Sequence, residues 1–354
     1  MYLPILMFDR LGWTGFLIFA IPNVLGCTAF GYVIRHPELS RRLIVTHRDA
    51  MLLFSHATIA FHVFFLVFLA RILLLNSMYP AMLLLAVLVI ALALSRLGTR
   101  FWPLLAISLY AVSLAAFVSI GASPLFDAPL NGYLEPWHAA FLLPTLLFGF
   151  LLCPYLDLTF HRALQQSSSR HTFAVFGITF ALMLLLTIAI WKERPILLGW
   201  LALAHVVGQI IFTLGAHFRE IFTSERSSSS TLDRFSSTLV MIAILFGLLA
   251  GYIVSDPAAI VHGESVYLRF LVFYGLIFPA YVALIMMPQP GTRPTRSLLI
   301  LLGIFIAAAL PLYELGFIHN HMWLLPLPLV GILGLVLQRR RTINHSSSTE
   351  ILAS

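Results

Sequence analysis

Asp157 and His161 are the residues of this chain best placed to do chemistry. They lie four apart in the segment 148–162, FGFLLCPYLDLTFHR, and share one face of any helix that continues through them. A carboxylate and an imidazole at that spacing, at the edge of a long apolar stretch, can hold or relay a proton or coordinate a cation. The alternative is an ion pair that fixes a helix end, Asp157 with His161 or with Arg162. Pro154 stands just before them. Proline removes an amide donor and disrupts the turn before it, and in lipid the stranded carbonyls need another partner. Pro22-Asn23 repeats the theme near the N-terminus, where an amide beside a break offers both an acceptor and donors. Pro144 and Pro279 are further mid-stretch prolines. Transporters place discontinuous helices at their substrate sites, and a packing kink is the plainer reading of each.

The chain has 13 histidines. Counted at about 1.5 Å per residue from the ends of their apolar stretches, His62 and His205 reach a similar mid-depth. Three readings compete. They line a polar cavity with Gln209; they ligate haem or a metal from facing helices; or each is neutral and bonded to a neighbouring helix. His56 and His62 are six apart, about 120° around a helix, so they do not face one metal. No CxxCH motif is present. The expectation is therefore no cofactor, with a histidine-ligated redox protein as the alternative. His138, His262, His319 and His321 accompany Asp127, Glu135, Asp256 and Glu264 in the loops. Those residue types suit a metal, but no HExxH or similar pair orders them. Glu314 follows Pro311 and can pair with Arg71 or Arg269, as a structural ion pair or an outer gate.

The elements that must position these groups are membrane helices. Of 354 residues, 60% are hydrophobic and 10% charged, and the mean hydropathy is +0.97. A soluble domain carries about 25% charged residues, so lipid must be the solvent for most of this chain. Apolar stretches fall at 11–34, 50–75, 78–97, 102–121, 137–160, 171–191, 195–217, 235–254, 265–287, 297–317 and 320–337. The odd-numbered connections are basic: Arg35, Arg41, Arg42 and Arg48 in the first, Arg96 and Arg100 in the third, Arg162 and Arg170 in the fifth. Arg219, Arg226 and Arg234 follow in the seventh, and Arg293 and Arg296 in the ninth. The even connections are neutral or acidic, apart from Lys192 and Arg194. The positive-inside rule then predicts eleven spans, N-terminus outside and C-terminus cytoplasmic.

Residues 1–338 read as one polytopic domain of a bacterial-type inner membrane, and 339–354 as a basic, then Ser-rich, cytoplasmic tail. No cleavable signal peptide is expected. The pI of 9.7 has a topological origin, so nucleic acid is not an expected partner. Cys27 and Cys153 read as small buried hydrophobes. The phosphate loop, the GxGxxG turn and the GxSxG elbow are all missing, which argues against an enzyme.

Two segments resemble the broken-helix segments of sodium:solute symporters and the wider amino acid–polyamine–organocation superfamily. One is the fifth stretch, with Gly149, Pro154-Tyr155 and Arg162. The other is the run Phe54-Ser55-His56-Ala57-Thr58. The resemblance implies a core in which interrupted helices surround a substrate and a sodium ion. The chain departs from the family in having two stretches between these segments, where the family has four. The expected function is a secondary transporter of a small solute coupled to Na+ or H+, with Pro22, Asn23, His62, Pro154, Asp157, His161, His205 and Gln209 around the site. A non-catalytic membrane scaffold or assembly factor is the other alternative.

Overall fold

The computed structural model of the chain describes residues 2–74, 78–120, 132–167, 169, 171–193, 196–222, 230–253 and 260–353. Asp127, Arg170, Arg194, Arg226 and Asp256 lie outside the described residues, as do the side chains of Lys192 and His262. Among the described residues there is no strand. Apolar runs become helices because lipid offers backbone amides no partner outside the segment.

The helices are α1 (Tyr2–Val33), α2 (Pro37–Leu74), α3 (Tyr79–Ser95), α4 (Phe101–Ile120) and α5 (His138–Leu152). A 3-10 turn, Cys153–Leu156, leads to α6 (Leu158–Gln166), α7 (Thr172–Glu193) and α8 (Ile196–Phe222). A one-turn helix, Thr231–Arg234, precedes α9 (Ser236–Ile253). Next, α10 (Ile260–Val272) passes through π turns at Phe273–Ile277 and Val282–Met286, and α11 (Arg296–Tyr313) and α12 (Pro326–Ala353) follow. Among the described residues, six segments are long and apolar enough to cross a membrane: 2–33, 37–71, 138–156, 263–286, 296–318 and 322–343. Shorter apolar helices lie at 79–95, 101–115, 172–188 and 236–252. The chain is an all-α membrane protein.

Three features depart from the sequence reading. The first connection is mostly helix, because α2 already begins at Pro37, where the missing amide costs nothing. It kinks at His47 instead (φ −115°, ψ 23°). Past the basic Arg339–Arg341, α12 continues as helix where Ser-rich composition suggests loose chain. Pro22 does not break α1. The non-helical residue is Gly12 (φ 61°, ψ −146°), a conformation open to glycine alone. Pro22 forfeits one hydrogen bond inside a helix that packing holds together.

The hydrophobic window of α2 is 72% buried, against 17% for α11, so α2 is the central helix and α11 is peripheral. Against α2 packs α9, with Gly247 and Gly251 facing Ala60, Phe64 and Val67. This spacing of small residues lets membrane helices approach closely. Leu85, Val89, Leu104, Ile107, Leu249 and Ile304 point outward on the outer helices, as lipid contact requires.

On its other side α1 packs against α5 and α7. At Gly26 the α1 backbone lies on the carbonyl of Phe150, and an added Cβ would overlap that oxygen. Pro154 has no amide to offer Phe150, so Gly26 lets α1 close over a carbonyl left without its helical donor. Gly26→Leu is expected to destabilise the protein by about 1–3 kcal/mol through overpacking. A thermal melt in detergent no different from wild type would remove this contact from the account.

Candidate functional site

The fifth apolar stretch is interrupted. Helical geometry ends at Leu152, Cys153–Leu156 tightens into a 3-10 turn, and Asp157 is extended (φ −83°, ψ 108°) before α6 restarts. Asp157 is the N-cap of α6. Its Oδ1 accepts from the Thr159 amide at 2.8 Å and from the Thr159 hydroxyl at 2.7 Å. Its Oδ2 makes no hydrogen bond among the described residues. The carboxylate is half-buried and within electrostatic reach of Cys27, Cys153, His217 and Tyr274. The 3-10 turn packs against α1, α2 and the segment Phe278–Met286, and its Cys153 thiol reaches the Tyr274 carbonyl in the first π turn after α10. Asn23 joins the group from α1, where its Oδ1 accepts from the Cys27 thiol at 4.0 Å.

His161 does not pair with Asp157. Its Nε2 lies 3.0 Å from the Tyr155 carbonyl, so it carries the proton and donates there, to an oxygen of the 3-10 turn. Its Nδ1 accepts from the Ser40 hydroxyl at 2.9 Å, and Ser40 in turn accepts from Gln165 at 2.9 Å. The extended residue at 157 turns the carboxylate away from the face that an uninterrupted helix would have shared. Arg162 also leaves Asp157 and takes Glu220 in a fork, at 3.0 and 3.2 Å.

The His161 ring is fully buried, and burial pushes its pKa down from the ordinary 6.5 to about 4. The unfolded chain takes up this proton near 6.5 and the folded chain only near 4. Stability is therefore full above pH 6.5 and falls as the pH drops through that window. Between pH 7 and pH 5 the loss amounts to about 2 kcal/mol. The His161→Gln protein is expected to lose that share of the acid sensitivity of its melting temperature. An identical pH profile in the variant would contradict the assignment.

Next to the break lies a cavity of about 50 Å³, lined by Leu6, Met7, Leu146, Leu271 and Phe317, with Thr145, Tyr274 and Arg10 as its polar members. That is room for a few waters. Its inner end reaches Gly149 and Phe150, one turn before the break. Between cavity and break stands Tyr274. Its carbonyl accepts from the Cys153 thiol at 3.0 Å, and its hydroxyl donates to Thr58, whose own proton goes to the Phe54 carbonyl. At the other end Arg10 forms an ion pair with Glu264.

Two polar seams close the ends of the bundle. One holds Arg10–Glu264 and the more exposed Arg269–Glu314, with Arg269 Nε 3.1 Å from Glu314 Oε2. Glu314 takes Arg269, and Arg71 lies instead over the Tyr252 ring at 4.8 Å. The other seam is buried. Arg48 grips both oxygens of Asp233 at 3.2 Å and reaches the Glu220 carbonyl, while Arg162 holds the Glu220 carboxylate.

The mid-depth histidines do not converge. His205 bonds Ser113 of α4 at 2.6 Å, and His62 bonds the Thr58 carbonyl of its own helix at 2.7 Å. Gln209 is half-buried one turn from His205, and none of the three lines the cavity. Equal depth does not fix which way a residue points around its helix. Among the described residues there is no group of three His, Cys, Asp or Glu side chains that could hold a metal ion.

The sequence reading missed Tyr274, Gly12, the Arg10–Glu264 pair and the buried seam. Arg48 was visible only as topology-setting charge, and Arg162 also as a candidate partner of Asp157, which the structure replaces with Glu220. Comparison with known proteins supplies no relative: no protein-family model matches the chain, and no curated protein or solved structure matches it.

Proposed function

We propose that the chain is a secondary transporter that moves a small solute with a coupled Na+ or H+ across a bacterial-type inner membrane. In this reading eleven helices cross the bilayer, with the N-terminus outside and the C-terminus in the cytoplasm. The observation that carries it is the interrupted fifth span, which leaves one oxygen of the Asp157 carboxylate without a hydrogen bond among the described residues, beside a turn packed against α1 and α2. A carboxylate at the edge of an apolar span, with one oxygen left open, suits a bound cation or proton. The resemblance of the same segment to the broken helices of sodium:solute symporters and their superfamily agrees with this.

The proposed topology has support beyond the arginine count. Arg10–Glu264 and Arg269–Glu314 each join two residues assigned outside, and Arg48–Asp233 and Arg162–Glu220 each join two assigned inside. In this reading the two closed seams correspond to an occluded state of the transport cycle. Proteoliposomes given a sodium or proton gradient and a panel of small solutes provide the test. Accumulation that collapses with the gradient is expected. Its absence across the panel, with correctly folded protein, would favour the second reading.

That second reading is a non-catalytic membrane scaffold. The apolar lining of the cavity favours it, as do histidines such as His161 and His47 held in fixed bonds.

A further inference from the structure

The first ten residues of α1 are a separate unit. Gly12 turns the chain at φ 61°, and the Arg10 carbonyl, released by that turn, accepts from the Leu134 amide at 2.8 Å. The unit is itself core material, with Leu3, Leu6, Met7 and Leu11 all buried. Leu3, Leu6, Met7 and Arg10 form one wall of the cavity. The polar bonds that hold it in place include the Leu3 amide to the Tyr267 hydroxyl at 3.0 Å, the Leu134 bond, and Arg10 to Glu264. The Tyr2 ring packs edge-on against Tyr267 at 5.1 Å. Only Nη2 of Arg10 meets Glu264, and Arg10 Nε is buried with no partner. A bare buried donor weakens the closed arrangement that leaves it bare.

We propose that this segment, 2–11, is a hinged plug that controls access to the cavity, with Gly12 as its hinge and Arg10–Glu264 as its latch. Opening needs rotation at Gly12 and the loss of the Arg10–Glu264 pair, of the Leu3–Tyr267 and Leu134–Arg10 hydrogen bonds and of the packing around Leu3, Leu6 and Met7, while α1 beyond residue 12 stays packed on α5 and α7. The proposal concerns access alone and does not depend on whether the protein transports.

The test is thiol accessibility in the full-length protein in detergent. Leu142→Cys places a thiol in the cavity wall, at a position 2% exposed. Its rate of reaction with a water-soluble maleimide is measured over the background of the buried Cys27 and Cys153. Adding Glu264→Gln is expected to raise that rate about tenfold, the scale of one lost charge-assisted bond. Bridging Arg10→Cys to Glu264→Cys with a short reducible linker is expected to suppress it until the linker is cut. Leu184→Cys, equally buried but on α7 away from the cavity, reports general loosening. The plug is overturned if Glu264→Gln leaves the Leu142→Cys rate unchanged, if it speeds Leu184→Cys as much, or if the linker does not slow labelling.

Discussion

An Asp157→Asn protein is expected to fold, to melt close to wild type, and to lose gradient-driven uptake by two orders of magnitude or more. Asp157 does two separable jobs. As N-cap of α6 it offers Oδ1 to the amide and hydroxyl of Thr159. Asparagine caps a helix as well as aspartate does, so that job survives the substitution. In the proposed mechanism Oδ2 and the negative charge bind the coupling cation, and asparagine supplies neither. Asp157→Ala, by contrast, removes both jobs and costs about 1 kcal/mol of helix-cap stability besides. Comparing the two variants separates structure from mechanism. Uptake that persists in Asp157→Asn would take this carboxylate out of the coupling step. A melting temperature that falls as far in Asp157→Asn as in Asp157→Ala would show that the charge itself holds the break together.

The sequence made the helices and the fifth-span break legible because both depend on local composition. Apolar runs must be helical in lipid, and Cys153-Pro154 followed by an N-cap aspartate and Thr159 is a local stop and restart. Pro22 misled for the same reason. A proline predicts a missing hydrogen bond, but whether the helix bends there depends on the packing of α5 and α7 around it. Gly12 carried a signal that reads only in hindsight, since a lone glycine in a membrane stretch is usually there for packing. The histidine pairing failed because depth follows from counting residues, while facing depends on how each helix is rotated. His205 turned to α4 and His62 to its own backbone. The buried seam was hidden because arginines beside spans are explained by topology: nothing in the sequence asked for a second role for Arg48, and Arg162 was offered the nearby Asp157 in place of the distant Glu220.

That seam sets the largest stability effect. Arg48 and Asp233 are each 3% exposed, and their fork is backed by the bond from Arg48 to the Glu220 carbonyl. Arg48→Met takes the forked arginine away from a buried carboxylate and is expected to cost about 3–5 kcal/mol, seen as a fall in melting temperature. The double variant Arg48→Met/Asp233→Leu removes both charges together and is expected to recover most of that loss, since an apolar pair of similar volume often matches a buried ion pair. Arg162→Gln should cost less, because Arg162 is 36% exposed and solvent shares its charge. A double variant no more stable than Arg48→Met would contradict the ion-pair account and point to lost packing. The double variant also discriminates between the two functional readings. An inner gate must come apart and admit water, which charged groups tolerate and an apolar plug resists. In a transporter the repaired protein should therefore be stable yet slow. A scaffold has no such step, so restoring the stability of its inner end should restore its performance.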